Sequence, residues 1–411
     1  MRQTHRAEIG SCISWASPRC YTSGASRRDA SALSVIEPNS STLKTWLVIL
    51  CVLVLGITLG AGLWPFSFHA KNEVWWNPGQ AGLHFGNIGM LISDGKFTGI
   101  TADTGSSCSI ELWIEPGLTW DSNTILSFYQ PGITPRIQVR QNGDDLVFTS
   151  SRGVEQTQKK QRNVFVDGVF RKGQRVLLTL TSFHDVLNIY VNGVLKKSVR
   201  DAKIQGTDFS GTLIVGSAYD KNLSWTGTFR GLALYDRSLQ PKEINEDYDF
   251  WQHNREQMAG KSARAYALYL FNEQSGERLH NVGKTGPDLV IPKNYFIFEP
   301  GFLVPFWKEY RSSREYVKDL AINVFGLVPA GFCFAALFAW LNGRKGSLLY
   351  TTLLGFCVSL TIEILQSFMP TRFSGTTDLI TNTTGAMLGA WLYLSAHSQV
   401  LLKRWGLVRA E

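Results

Sequence analysis

The 411-residue chain has only six cysteines, and their positions exclude a disulfide framework. Cys51, Cys333 and Cys357 fall in strongly apolar stretches, Cys12 and Cys20 in a polar N-terminal segment, and Cys108 stands alone in the middle of the chain. A domain built around Cys108 must therefore hold together by its core. The seven histidines are dispersed without the spacing of a metal site, so no metal and no other cofactor is expected. No Gly-rich phosphate loop and no activated nucleophile stands out. Lysine and arginine outnumber aspartate and glutamate by 41 to 33, yet no basic stripe with interleaved aromatics occurs, which argues against a nucleic-acid partner. At 44% hydrophobic and 18% charged, the chain is too apolar for overall disorder.

The apolar residues are unevenly spread. Four stretches, 45–64, 320–341, 347–368 and 379–396, are almost free of charge, while residues 67–316 contain no such run. At a rise of about 1.5 Å per residue each stretch matches a hydrocarbon core of about 30 Å, so the bilayer is the expected partner. Lys44 with Arg27 and Arg28, then Arg344 and Lys345, then Lys403, Arg404 and Arg409 flank these spans and read as cytoplasmic. Lys308, Arg311, Arg314 and Lys318 run against that rule, but four spans satisfy the other three flanks. The expected plan is a disordered cytoplasmic tail at 1–44, a transmembrane helix at 45–65, a β domain at 67–252, and a β-rich extension and linker at 253–316. Three more transmembrane helices follow at 317–398, then a cytoplasmic tail at 399–411. Residues 67–316 are then extracytoplasmic.

Between His84 and Trp251 the pattern changes to short alternating runs. Ile110, Leu112 and Ile114 share one face of a strand and Glu111, Trp113 and Glu115 the other, which predicts a half-buried strand. Runs at 175–181, 187–191, 212–216 and 229–235 continue the series, and Asn192-Gly193 is a hairpin signal. Such spacing predicts an all-β antiparallel sandwich beside a four-helix transmembrane bundle. Strands near 263–271 and 288–292 either complete that sandwich or form an appendix on the membrane.

The polar residues of the membrane part converge. Asp319 and Asn323 open the second span, Asp378 and Asn382 open the fourth, and Glu363 and Gln366 close the third. The segments Asp319-Leu-Ala-Ile-Asn323-Val-Phe-Gly326 and Asp378-Leu-Ile-Thr-Asn382-Thr-Thr-Gly385 form a weak internal repeat with Asp and Asn four apart, on one helix face. With Arg372, these six residues are the candidate binding cluster. Glu363 lies roughly 7 Å inside its span at 1.5 Å per residue, so its charge needs a partner, and Arg372 in the following turn is the expected one. Against a site stands the structural reading, in which Asp answers a helix dipole and the amides join helices. Gly56-x3-Gly60 and Gly385-x3-Gly389 offer close helix approach, and Pro329 interrupts the second span.

Two resemblances follow from these residues. Residues 85–95, 108–116, 187–194 and 225–248 resemble the laminin-G or concanavalin-A-like jelly roll, which implies a fold more than a function. Asp319-x3-Asn323-x5-Pro329-x-Gly331, Ser359-x3-Glu363-x2-Gln366 and Pro370-x-Arg372-x5-Asp378-x3-Asn382-x2-Gly385-x3-Gly389 resemble the VanZ family of small membrane proteins linked to teicoplanin resistance. Pro65-Phe66 is similar to the pair that ends that family's first helix, so the sandwich reads as an insertion after the first of four helices.

Two function classes stay open. One is a bacterial cytoplasmic-membrane protein whose exported sandwich binds a cell-wall or surface glycan, or a protein, with an effect on glycopeptide sensitivity implied by the VanZ resemblance. Trp113, Trp120 and Trp225 are its candidate glycan contacts, weighed against core packing as the commoner fate of tryptophan. The other is an enzyme on a lipid-linked or phosphorylated envelope precursor, with Glu363 or Asp378 as general base and Arg372 on a phosphate. A glycosidase pair at Glu111 and Glu115 is disfavoured, because four strand residues separate their backbones by roughly 13 Å.

Overall fold

The computed structural model describes residues 40–100, 107–119, 122–151, 161–220, 224–253, 264–310 and 314–404. A long helix, α1 (Ser40–Leu63), leads into the sandwich. It begins at Ser40, so residues 40–44, read above as tail, are helical; the Thr45 hydroxyl bonds back to the Ser41 carbonyl at 3.0 Å.

The strands in chain order are β1 (Val74–Trp76), β2 (Leu83–Phe85), β3 (Leu91–Ser93), β4 (Phe97–Thr98), β5 (Ser109–Pro116) and β6 (Ser122–Tyr129). There follow β7 (Ile137–Asn142), β8 (Asp145–Ser151), β9 (Gln161–Val166), β10 (Val176–Phe183), β11 (Val186–Val191) and β12 (Val194–Arg200). After β13 (Ser210–Val215) and β14 (Gly227–Tyr235) comes the helix α2 (Pro241–His253), then β15 (Ala267–Tyr269), β16 (Arg278–Leu279) and β17 (Leu289–Val290).

One sheet runs β1-β2-β14-β5-β10-β11-β12, with β15 also on β14; the other runs β16-β17-β3-β13-β6-β7-β8-β9, with β4 on β13. Their inner faces interdigitate around Phe85, Leu112, Phe128, Phe148, Leu178 and Phe229, all buried. The strands in 264–310 thus complete both sheets. Asn192 and Gly193 both have positive φ (51° and 79°) and turn β11 into β12, as the right-handed twist of a two-residue hairpin requires.

The sheet containing β5 is buried on both faces along β5 and β14, which alters the half-buried reading of β5. α2 covers its outer face, packing Ile244 and Trp251 against Trp113, Ala233 and Tyr235. The Trp251 ring comes so close to the backbone that a Cβ on Gly231 would overlap it. Under this cover Glu111 is buried, and its carboxylate accepts from Tyr235 Oη at 2.9 Å and Thr179 Oγ1 at 3.3 Å. Glu111 is therefore a buried, hydrogen-bonded strand residue and not a solvated one. Cys108 is a free, buried thiol, its pKa pushed up to about 12 by that burial.

Short α3 (Phe306–Glu309) precedes the bundle of α4 (Arg314–Asn342), α5 (Arg344–Gln366), α6 (Thr376–Leu394) and α7 (Ala396–Arg404). Among the described residues, α1, α4 and α5 are long and apolar enough to cross a membrane. α6 packs beside α4 and α5. Three of its threonines return their hydroxyls to the preceding turn, Thr381 to Thr377 O at 2.9 Å, Thr383 to Leu379 O at 2.7 Å and Thr384 to Ile380 O at 2.8 Å, which satisfies those donors within the helix. α4 and α6 touch backbone to backbone. A Cβ on Gly385 would overlap the Val324 carbonyl, and one on Gly389 the Val328 carbonyl. Gly56 and Gly60, by contrast, face open space in this chain, so that pair joins no helix here.

At the start of α2, Arg237 donates to both oxygens of Glu243 at 2.8 Å, and Gln240 N donates to Glu243 Oε2 at 2.9 Å. The Arg237 hydrogen bonds hold the Glu243 carboxyl below its ordinary range. A depressed carboxyl stabilises the fold fully above its unfolded pKa of about 4.3 and loses that contribution as pH falls through the lower folded value. Glu243→Gln should cost about 1 kcal/mol at pH 7, a figure already reduced for partial solvent screening. Denaturant titrations should show the difference from wild type shrinking to nothing as pH falls below the folded value.

Candidate functional site at the mouth of the bundle

The ends of α1 and α5 and the beginnings of α4 and α6 meet on the side of the bundle that faces the sandwich. The chain makes this junction by leaving α5 at Gln366, turning through 367–375 and entering α6 at Thr376 with Gly375 as the N-cap. Leu303 N donates to Ser374 Oγ at 3.3 Å, and Val304 pairs with Gly375 in an isolated bridge. The linker from the sandwich is thereby stitched to the turn.

A helix N-terminus leaves N–H groups without intrahelical partners, and here carboxylates from two other elements accept them. Glu363 Oε2 of α5 takes the Gly375 amide at 2.8 Å, and Glu309 Oε2 of α3 takes the Thr377 amide at 3.2 Å. Asp378, in the first turn of α6, accepts from Asn323 Nδ2 of α4 at 2.7 Å. One turn deeper, Asn382 Nδ2 donates to Ser359 Oγ of α5 at 3.1 Å. Gln366 Nε2 donates to the Gly62 carbonyl at 2.7 Å and ties α5 to the end of α1. Asp319 is exposed at the rim, in the second turn of α4. The cluster is thus a set of inter-helix hydrogen bonds with buried Glu363 at its centre.

The expected Glu363–Arg372 pair does not form. Arg372 turns the other way and donates from Nη2 to the Trp64 carbonyl, and among the described residues no carboxylate lies within ion-pair distance of it. The physical reason is that the peptide dipoles at the start of α6 supply the positive end that Glu363 needs. Sequence reasoning also missed Glu309, which lies in a segment read as linker. It stands eight residues before the membrane part read from the sequence, and no residue pattern around it marked it.

In the sandwich, Trp113 and Trp225 are 3% and 1% exposed, so neither offers a face to a ligand. Trp225 sits in the aromatic core against Phe85 and Phe229 and donates from Nε1 to Gln141 Oε1 at 2.6 Å. Trp120 lies outside the described residues. Glu115 pairs with Arg230, 2.8 Å from Oε2 to Nη2. An open tryptophan is instead Trp75, 48% exposed and tilted against His84 with ring centroids 4.6 Å apart.

Residues 252–400 match the family model of VanZ/LLP1, and residues 92–245 match that of the concanavalin A-like lectin/glucanases superfamily. The chain is therefore a membrane protein that joins a VanZ-like part to a concanavalin-A-like sandwich. No curated protein matches it. Among solved structures it is similar to the ligand-binding domain of botulinum neurotoxin serotype D in complex with N-acetylneuraminic acid, at 15% identity and a TM-score of 0.32, over 44% of this chain and 45% of that one. It is also similar to the binding domain of botulinum neurotoxin DC in complex with rat synaptotagmin II (17%, 0.32, 44% and 46%). A third is the heptameric SAP-like pentraxin of Limulus polyphemus (12%, 0.30, 43% and 78%). The chain spans less than half the length of the neurotoxin chains, and these likenesses carry no functional argument.

The hydrogen-bond pattern predicts two different couplings. A double-mutant cycle of Asn323→Ala with Asp378→Ala, read by unfolding of the full chain in detergent micelles, should show a coupling of about 0.5–3 kcal/mol. Arg372→Ala with Glu363→Gln should be additive to within about 0.5 kcal/mol. A strong coupling in the second cycle would restore the direct ion pair.

Proposed function

We propose that the protein is an envelope protein of a bacterial cytoplasmic membrane, whose bundle anchors an extracytoplasmic sandwich that binds a surface glycan. The observation that carries this reading is a row of side chains on the outer face of the β1-β2-β14-β5 sheet. Trp75 is directly opposite His84, His84 opposite Thr228, and Thr228 opposite Glu115, on four adjacent strands. His84 Nδ1 and Thr228 Oγ1 lie 3.2 Å apart, and Arg175 flanks Glu115 at 3.5 Å. At about 4.8 Å per strand the row offers the exposed aromatic face of Trp75 followed by the half-buried polar groups of His84 and Glu115, with Thr228 buried between them. That is what a pyranose needs, with an apolar C–H face and hydroxyls that donate and accept. This end of the sheet lies outside the cover of α2.

The outward placement of residues 67–316 rests on the basic flanks of the spans and on the junction, which brings the sandwich to the mouth shared by all four helices. Through its VanZ-like part, loss of the protein is expected to alter sensitivity to glycopeptide antibiotics. The enzyme reading has less support. Glu363 is engaged by an amide hydrogen and Asp378 by Asn323, so both carboxylates already serve to hold helices together.

Two measurements test the proposal. Protease added to spheroplasts should remove the sandwich and spare a C-terminal tag; loss of the tag would overturn the topology. Purified protein should bind soluble wall-polysaccharide fragments in calorimetry, and Trp75→Ala should weaken binding about tenfold, as the loss of about 1.4 kcal/mol of aromatic contact requires. Equal binding by Trp75→Ala would remove the row from the site.

A further inference from the structure

Between the sandwich and the bundle lies a cavity of about 370 Å³. One wall is the turn after α5, with Phe368, Arg372 and Phe373; the other is the sandwich side, with Phe296 and Ile297; His69, Asn294 and Asp220 border it. The polar cluster described above bonds helix to helix, and this cavity is separate from those contacts.

Three observations define what it accommodates. The first is depth. At the end of α1, in the linker and α3, and in the turn after α5, Trp64, Phe302, Phe306, Trp307, Phe368 and Phe373 are all about half exposed or more, which costs free energy in water and is favoured where aromatic rings sit among lipid headgroups. The second is charge. The Arg372 guanidinium lines the cavity; among the described residues only Nη2 has a protein partner, and Nε is buried without one. Asp378 is within electrostatic reach but beyond ion-pair distance. A half-buried cation beside a hydrocarbon boundary calls for an anion, and the planar fork of arginine fits phosphate oxygens in pairs. The third is size. Ligand pockets run from about 300 to 1,000 Å³, so this one takes a small headgroup and excludes a lipid-linked oligosaccharide.

We propose that the cavity binds the phosphate of a small lipid headgroup, with Arg372 on the phosphate and Phe368 and Phe373 beside the glycerol and first acyl carbons. His69 and the Asn294 amide supply further donors. Asp220, at the border, bonds to the neighbouring Tyr219. The proposal rests on the membrane reading of the bundle and not on the glycan reading of the sandwich.

The test uses the full chain in an uncharged maltoside detergent, which contains no phosphate. Dihexanoyl phosphatidylglycerol is titrated and binding is followed by tryptophan fluorescence, with dihexanoyl glycerol and free sn-glycerol 3-phosphate as comparisons. Wild type should bind the phospholipid at least tenfold more tightly than either comparison. Arg372→Ala should lose that preference and Arg372→Lys should recover part of it, since lysine keeps the charge without the fork. Ile297→Trp, which fills the cavity from the sandwich side and leaves Arg372 in place, should also abolish binding; it decides the matter if Arg372→Ala fails to fold. Equal affinity for dihexanoyl glycerol, or unchanged affinity in a folded Arg372→Ala or Ile297→Trp, would overturn the proposal. Tight binding of sn-glycerol 3-phosphate alone would overturn the lipid source and leave a soluble phosphate site. Failure of the protein to enter lipid nanodiscs would refute the membrane reading itself, an outcome distinct from all of these.

Discussion

The start of α6 is the point on which the membrane half depends. Its orphan amides meet carboxylates from two different elements, Glu363 from α5 and Glu309 from α3. A carboxylate at a partly buried helix N-terminus is worth up to about 2 kcal/mol, and an unpaired charge in the same place costs several. Each partner therefore solves the other's problem: the helix end would be unsatisfied without the carboxylates, and Glu363 would be a stranded charge without the helix. The turn 367–375 is held between them, and it is this turn that carries Ser374 and Gly375 to the sandwich linker. From there the α6 axis runs against α4 at backbone distance because Gly385 and Gly389 carry no Cβ.

Much of the architecture is legible in the residues. Three of the apolar runs stand as helices able to cross a membrane, and the Asn192-Gly193 hairpin falls where its φ demands place it. The closing strand 229–235 lies within β14. The less legible parts share a cause. The partner of Glu363 is a backbone N–H, and a backbone group leaves no trace in residue identity. Arg372 was the nearest cation in sequence, but charge complementarity along a chain does not say which way a side chain turns. Likewise the alternation in β5 marks which residues share a face, and it is silent on whether a helix far along the chain covers the second face. Placing α2 over that face buries Trp113 and Glu111 together. Trp75 escapes the same fate because β1 is an edge strand beyond the reach of α2.

The division of the sheet face has a physical logic. Where α2 covers it, the side chains are large and apolar, and the one carboxylate is bonded by Tyr235 and Thr179. Beyond α2, Trp75 is exposed, His84 and Glu115 are half-buried and partly paired, and Thr228 lies buried between them. Paired groups are cheap to expose and still able to exchange a neighbour for a ligand hydroxyl, whereas fully buried ones are not.

The same contrast separates the two charges of the bundle mouth. Glu363 has satisfied its requirement internally, through an amide hydrogen in a dry setting, and is spent as structure. Arg372 has not, because a single carbonyl oxygen accepts a hydrogen bond without neutralising a guanidinium. Two opposite charges within nine residues of each other thus end in different roles, one closing a helix and one left facing a cavity. An arginine placed only to pin α1 would do so equally well as an uncharged donor. Its full charge, held at the depth of the aromatic ring, is the feature of the mouth that the internal hydrogen bonds leave unused.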